Sequence, residues 1–285
     1  MHKILVTGAH GQVGTELNFL SSLLETHSFT FVDRDGLDIT DEEAVNLFLS
    51  NGNYFALINC AAYTAVDKAE SEKEMAFKIN AEGAGILAKA AKANNCRFVH
   101  ISTDFIFDGT KSVPLSEDEK PNPLSVYGAS KLEGEKQVLQ NNPDTLLIRT
   151  SWVYSSFGNN FVKTILKLCK ERETLNVIYD QIGTPTYARD LAAAILNIVQ
   201  RETWTAGVYN YSNEGVASWY DFAVAIRDIA ELKTKLSPIE THQYPTPAVR
   251  PKYSVLNKKK IKEIFGIEIP YWRKSLEDCI HLLNH

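Results

Sequence analysis

Apolar positions in the first half of the chain fall into two patterns. Some form short unbroken runs, which read as strands buried on both faces. Others recur every three or four residues, which reads as one face of a helix. On this pattern Lys3–Thr7 is a strand, Val13–Leu24 a helix and Phe29–Val32 a strand. Asp41–Leu49 is a helix with Thr40 or Asp41 as its N-cap, and Phe55–Asn59 a strand. Ser71–Lys92 is a long alanine-rich helix, Arg97–Ser102 a strand and Ser125–Leu139 a helix, and Leu146–Thr150 closes the series. Strands alternating with helices predict an α/β fold, a Rossmann-like doubly wound parallel sheet with right-handed crossovers.

Beyond residue 150 the alternation loosens. Helical periodicity returns at Asn160–Cys169, Asp190–Val199, Ser218–Ile229 and Trp272–Leu283. Proline-containing loops lie between, at Thr184-Pro185-Thr186 and Tyr244-Pro245-Thr246-Pro247. The expectation is two parts. Residues 1–150 carry the doubly wound sheet, and 151–285 form a smaller, interleaved C-terminal lobe with segments returning to the first part.

Composition narrows the class. The chain has 285 residues, 44% hydrophobic and 23% charged, which excludes a disordered chain. Lys and Arg number 30 against 35 Asp and Glu, a net charge of −5 that argues against a general nucleic-acid binder. No apolar run approaches the ~20 residues that span a bilayer. The run from Met1 to Gly8 has only three aliphatics before its glycine, so it does not read as a signal peptide. Cys60, Cys96, Cys169 and Cys279 form no CxxC pair and have no histidine at zinc-ligand spacing. These features predict free thiols, a cytoplasmic protein, and no metal, membrane or nucleic-acid partner.

Three segments carry chemistry. Gly8-Ala9-His10-Gly11-Gln12-Val13-Gly14 joins the first strand to the first helix. Glycines there allow close backbone approach to a phosphate, and the helix N-terminus supplies amide donors and a positive dipole end. Nineteen residues after Gly14, Asp33 stands where a carboxylate meets the adenosine ribose hydroxyls of a dinucleotide. Residues 1–150 therefore read as an NAD(P)-binding domain. Asp33 favours NADH, whereas Arg34 can hold the 2′-phosphate of NADPH or be a plain surface arginine, so use of both cofactors is expected. Tyr127 and Lys131 stand at i and i+4, on one face of the predicted helix. A cation beside a phenol stabilises the phenolate and draws its pKa from ~10 towards the working range. The strand 98–101 ends in Ser102-Thr103-Asp104, and the strand before it in Asn59-Cys60-Ala61-Ala62-Tyr63-Thr64. Carboxyl strand ends are where such sheets hold their active groups.

Gly8–Gly14, Ser102–Asp104 and the Tyr127/Lys131 pair resemble the extended short-chain dehydrogenase/reductases. Longer runs are similar to one family among these, the dTDP-4-dehydrorhamnose reductases. They are Asn59–Glu70, Ser102–Gly109, Arg149–Tyr154, Gly158–Val162, Gln181–Thr186 and Arg250–Leu256. The resemblance implies reduction of a C4 ketone on a dTDP-sugar, with Tyr127 as proton donor. It implies that Lys131 binds the nicotinamide ribose and that Thr103 orients the ketone. Cofactor contacts would come from Gly8, Gly11, Gln12, Val13 and Gly14 at the pyrophosphate, and from Asp33, Arg34, Asp38 and Ile39 around the adenosine. Ala61, Ala62, Tyr63, Thr64 and Ser102 would line the inner side of the cofactor, with Tyr127 and Lys131. Thr103 and Asp104 would contact the sugar, and Trp152 would form a wall against it or pack in the core. A diphosphate needs cations from the C-terminal lobe, for which Arg250 with Lys252 is the candidate, or a plain surface pair. Asn80 matches a helix asparagine that faces the site, or is an ordinary helix polar residue.

One departure bears on metal. Some members of the family dimerise through a magnesium site built from acidic residues. Glu16 matches one of them, but Arg189 stands where a carboxylate is expected. A cation there is incompatible with a shared magnesium cage, so no metal is expected, and a homodimer is left open beside a monomer. Two other functions share the fold: a non-catalytic NADP-binding regulatory subunit, and another nucleotide-sugar reductase, epimerase or dehydratase. Retention of Thr103, Tyr127 and Lys131 favours an enzyme. Phe105 after Asp104 disfavours a dehydratase, which needs an acidic pair there.

Overall fold

The computed structural model describes residues 2–24 and 27–283. The outermost ends of both predicted parts, Met1 and residues 284–285, lie outside them. The first half builds strands β1 (His2–Thr7), β2 (His27–Val32), β3 (Ala56–Asn59), β4 (Arg97–Thr103) and β5 (Leu146–Thr150). Ile4, Leu5 and Val6 of β1 and Ala56, Leu57 and Ile58 of β3 are fully buried, which is why these runs carry no polar alternation.

Helices cover both faces of the sheet. They are α1 (Gln12–Ser21), α2 (Glu42–Gly52), the short α3 (Val66–Ala69), α4 (Lys73–Phe77), α5 (Ala84–Ala93) and α6 (Val126–Asn141). Asp41 caps α2, its side chain accepting the Ala44 N–H at 3.0 Å. The predicted Ser71–Lys92 helix is interrupted, with a π-helical turn at Lys78–Gly83 joining α4 to α5. Helix α1 ends at Ser21, short of the expected Leu24.

The second half adds α7 (Phe161–Glu171), α8 (Ala188–Val199), α9 (Trp219–Ile229), α10 (Lys259–Phe265) and α11 (Trp272–Leu283). Its strands are β6 (Val153–Tyr154), β7 (Thr174–Ile178), β8 (Ile182–Gly183), β9 (Thr186–Tyr187), β10 (Gly207–Asn210), β11 (Ala217–Ser218) and β12 (Lys235–Ile239).

The main sheet runs β10-β5-β4-β3-β1-β2, all parallel. Leu146–Thr150 therefore does not close it, because β10 pairs with β5 from the second half. Helix α8 likewise packs beside α1 on the first half's core. A separate apolar core built from α7, α9 and α11 fills the remainder of the second half. Strand order reverses between β1 and β3, and ligands of such sheets bind outside that switch point. No described helix is long and apolar enough to cross a membrane.

Candidate active site at the sheet switch point

A cleft of about 810 Å³ opens over the carboxyl ends of β1, β3, β4 and β5. Its floor starts at the turn after β1. Gly8 adopts φ +71°, and a Cβ on it would lie 2.6 Å from the Ala61 backbone nitrogen. Gly14 faces inward, where a Cβ would sit 2.2 Å from the Gly8 carbonyl oxygen. So Gly14 does not line the cleft; it lets α1 pack tightly against the turn. Gly8, Gly11, Gln12 and Val13 do line it. The Gln12 side chain is engaged with the second half, donating to Val153 O at 3.3 Å and accepting from Asn160 Nδ2 at 2.9 Å.

At the end of the cleft beyond β2, Asp33, Arg34, Asp38 and Ile39 line the wall. Asp33 Oδ2 accepts the His10 backbone N–H at 2.9 Å and pairs with the His10 ring. Asp38 is held by Thr40, whose N–H and hydroxyl donate to Oδ1 at 2.9 and 2.7 Å. Those bonds pull the Asp38 pKa below its usual range. Arg34 is exposed and lies 3.5 Å from Asp38.

Ala61, Ala62 and Thr64 line the middle of the cleft, but Tyr63 turns out of it and donates to Glu72 at 2.7 Å. Asn80 explains how that strip is held. The π-helical turn presents its buried amide to the Tyr63 backbone, accepting the N–H at 2.8 Å and donating to the carbonyl at 3.0 Å. Its Nδ2 also donates to Ser130 Oγ at 3.0 Å, tying the strip to α6. Asn80 therefore supports the wall and does not line the cleft.

Ser125 caps α6, accepting the Gly128 N–H at 3.1 Å, so Tyr127 and Lys131 project from its first two turns into the cleft. Lys131 is buried and donates to Ile101 O at 2.7 Å. Burial lowers its pKa to about 8, with Glu135 opposing. Burial pushes the Tyr127 phenol up to about 12; a hydrogen bond with Thr103 opposes this and the Asp104 charge adds to it. The expected downward pull by Lys131 does not appear among the influences on the phenol, and burial decides its pKa. The phenol is therefore neutral at neutral pH.

Thr103 donates to Asp104 Oδ1 at 3.1 Å. Asp104 is buried, which lifts its pKa to about 6 against hydrogen bonding from Ser254 and Thr103. Ser102 Oγ, Asp104 Oδ2 and Thr150 Oγ1 are buried beside the cleft without a hydrogen-bond partner among the described residues. Such orphans mark places where a ligand hydroxyl or water completes the bonding. Beneath them Thr7 donates to Asn59 at 2.7 Å, and Asn59 Nδ2 meets His100 Nδ1 at 3.0 Å. Burial, then the charge of Lys131, keeps His100 well below its usual pKa and neutral.

The second half supplies the outer wall. Trp152 lines it with φ +46°, a left-handed conformation that is strained for a bulky residue. Its indole stacks on Trp219 with centroids 3.6 Å apart. Trp219, on α9, was not among the expected site residues; nothing in the sequence links it to Trp152. Arg250 lines the cleft, while Lys252 is exposed and does not.

Among the described residues no group of three or more His, Cys, Asp or Glu is placed to hold a metal ion. Arg189 Nε instead lies 2.7 Å from the fully buried Glu16, whose other oxygen accepts from Ser155 at 2.6 Å. The four cysteines are free, and Cys60 borders the cleft.

Residues 1–285 match the family described as the RmlD substrate binding domain. A dTDP-4-dehydrorhamnose reductase of Aggregatibacter actinomycetemcomitans is 41% identical over 288 residues, 98% of each chain. A crystal structure of a dTDP-4-dehydrorhamnose reductase from Clostridium acetobutylicum superposes with a TM-score of 0.95 at 42% identity, covering 99% of this chain and 100% of that one. The Bacillus anthracis reductase in complex with NADP superposes with a TM-score of 0.94 at 37% identity, covering 99% of each.

Proposed function

The chain belongs to the RmlD substrate-binding-domain family of dTDP-4-dehydrorhamnose reductases, and as such is an oxidoreductase; from that membership we propose the reaction and the roles of its residues. It reduces the C4 ketone of dTDP-4-dehydro-β-L-rhamnose to the alcohol of dTDP-L-rhamnose, with NADPH or NADH. The observation that carries this reading is the convergence of Tyr127, Lys131 and Thr103 with the Gly8–Val13 turn in one cleft.

The residues present fit a dinucleotide. The turn after β1 is cleared of side chains by Gly8, the N-terminus of α1 opens onto it, and Asp33 stands at the end of β2. The nicotinamide cofactor, when bound, supplies the hydride. The protein's part is alignment and protonation. Lys131 holds the nicotinamide ribose. Thr103 turns its one hydroxyl proton from Asp104 to the ketone oxygen, which fixes its orientation. Tyr127 gives its phenolic proton to that oxygen as the negative charge develops, so carbon gains the hydride and oxygen the proton. Trp152 and Asp104 contact the sugar, and Arg250 the diphosphate. Residues 1–150 serve the cofactor and 151–285 mainly the sugar nucleotide, with β10 and α8 returning to the first part. Such a reaction on a sugar nucleotide belongs in the cytoplasm.

The test is oxidation of NADPH in the presence of the dTDP-4-keto sugar, with wild type and Tyr127→Phe. Loss of a general acid lowers turnover by ~10²–10⁴. NADPH affinity is expected to stay unchanged. Turnover near that of wild type in Tyr127→Phe overturns the assignment of the donor.

A further inference from the structure

The run Asn59–Glu70 and the segment that follows the proline-containing loop 244–247 meet at Arg250, and the reaction above leaves its partner Asp67 without a role. Asp67, on α3, faces Arg250 across 183 residues of sequence. Asp67 Oδ1 accepts from Arg250 Nη1 at 3.0 Å and Oδ2 from Nη2 at 2.7 Å. Oδ1 also accepts the Ala248 N–H at 3.2 Å, so the carboxylate holds the loop as well as the side chain. Nη1 donates further to Thr246 Oγ1 at 2.7 Å and to Ala248 O at 3.2 Å.

A guanidinium carries five N–H donors in a planar fork. Nη1 has two protons for three acceptors, so it is saturated. Nη2 has one proton engaged. The Nε proton and the second Nη2 proton remain, side by side on the adjoining edge, with no hydrogen bond to any described residue. That edge belongs to a side chain that lines the cleft and is 23% exposed. A planar fork with one edge fixed and the other free matches two oxygens of a phosphate.

We propose that Asp67 is the positioning residue of a diphosphate subsite: it fixes Arg250 by the Nη1–Nη2 edge and so presents the Nε–Nη2 edge to the diphosphate of the sugar nucleotide. This rests on the reading of the cleft as that of a nucleotide-sugar reductase. Orientation outweighs the repulsion between Asp67 and the incoming anion. Asp67 is 40% exposed, so water screens its charge, whereas a fork held in place loses no rotamer freedom when the anion arrives.

The experiment compares binding of dTDP and of NADPH to wild type, Asp67→Asn, Arg250→Ala and the double variant by calorimetry. Asp67→Asn keeps the shape and removes the charge. Its dTDP Kd is expected to rise about tenfold, with the NADPH Kd within about twofold of wild type. In the Arg250→Ala background the same change is expected to add nothing, because Asp67 acts through Arg250. Thr246→Val removes another acceptor of Nη1 and tests the idea without touching the ion pair; a rise of about threefold is expected. For the keto sugar, Asp67→Asn is expected to raise KM about tenfold and hold kcat within about twofold.

An unchanged or tighter dTDP Kd in Asp67→Asn overturns the proposal. So does a further loss on adding Asp67→Asn to Arg250→Ala. A wild type that binds dTDP but never turns over the keto sugar sinks the reductase reading and leaves the subsite comparison standing.

Discussion

Asp104→Asn isolates the electrostatic cost built into the site. The carboxylate is buried, one of its oxygens has no partner among the described residues, and its pKa rises from the usual 3.8 to about 6. At ~1.36 kcal/mol per pH unit this difference is worth about 3 kcal/mol. The sign follows from which state binds the proton more tightly. A folded pKa above the unfolded one means a stabilising contribution fully present below about 3.8 and lost as pH rises through about 6. The wild type therefore loses stability towards neutral pH through this residue, and Asn, which does not titrate, does not. About 2 of the 3 kcal/mol falls between pH 4.5 and 8. Asn keeps an acceptor for Thr103, but its amide is a new buried donor, a penalty of about 1 kcal/mol that is independent of pH. The variant is thus expected to be about 2 kcal/mol more stable than wild type at pH 8 and close to it at pH 4.5. Urea unfolding of both proteins across that range measures the difference. A difference that stays constant from pH 4.5 to 8 refutes the assignment of the raised pKa to Asp104.

Three further expectations concern the Arg189–Glu16 pair and Arg34. Arg189→Met leaves Glu16 buried without its cation, at a cost of about 3–5 kcal/mol in urea unfolding; a loss under about 1 kcal/mol contradicts a structural ion pair. The same pair occupies the Glu16 carboxylate, so EDTA treatment is expected to leave turnover and thermal unfolding unchanged, and a fall in either reveals a metal requirement. Arg34→Leu is expected to lower kcat/KM for NADPH about tenfold and to leave that for NADH within about twofold. Equal losses with both cofactors remove Arg34 from contact with the 2′-phosphate.

Local patterns made most of the sheet legible. The runs at Ile4–Val6, Ala56–Ile58 and Leu146–Ile148 are apolar at every position because helices bury both faces. Strand β10 was not legible. Gly207-Val208-Tyr209-Asn210 is short and half polar, and its place beside β5 comes from non-local pairing. The π-helical turn at Lys78–Gly83 was hidden for another reason. Alanine-rich periodicity fits a continuous helix, and what favours the wider turn is tertiary, the clamp of Asn80 on the Tyr63 backbone and Ser130.

The site divides along the same line. Residues that spacing within one element brings into the cleft, such as the Tyr127/Lys131 pair and the glycine turn, were readable. Trp152 and Arg250 were readable as candidates, but the partners that distant segments bring to them, Trp219 and Asp67, were not. Chemistry shows the same limit. Spacing alone put a cation beside a phenol and suggested a lowered phenol pKa. Burial reverses this, leaving a phenol at about 12 beside an ammonium at about 8. For the proposed reduction that outcome is favourable. The donor must keep its proton until the ketone oxygen gains charge, and an alkoxide is a stronger base than any phenolate, so transfer from Tyr127 remains downhill. Oxidation of the alcohol would need the phenolate first, and the burial that raises the Tyr127 pKa disfavours it. The burial that keeps the phenol protonated thus favours adding a proton to oxygen, the direction that ketone reduction requires.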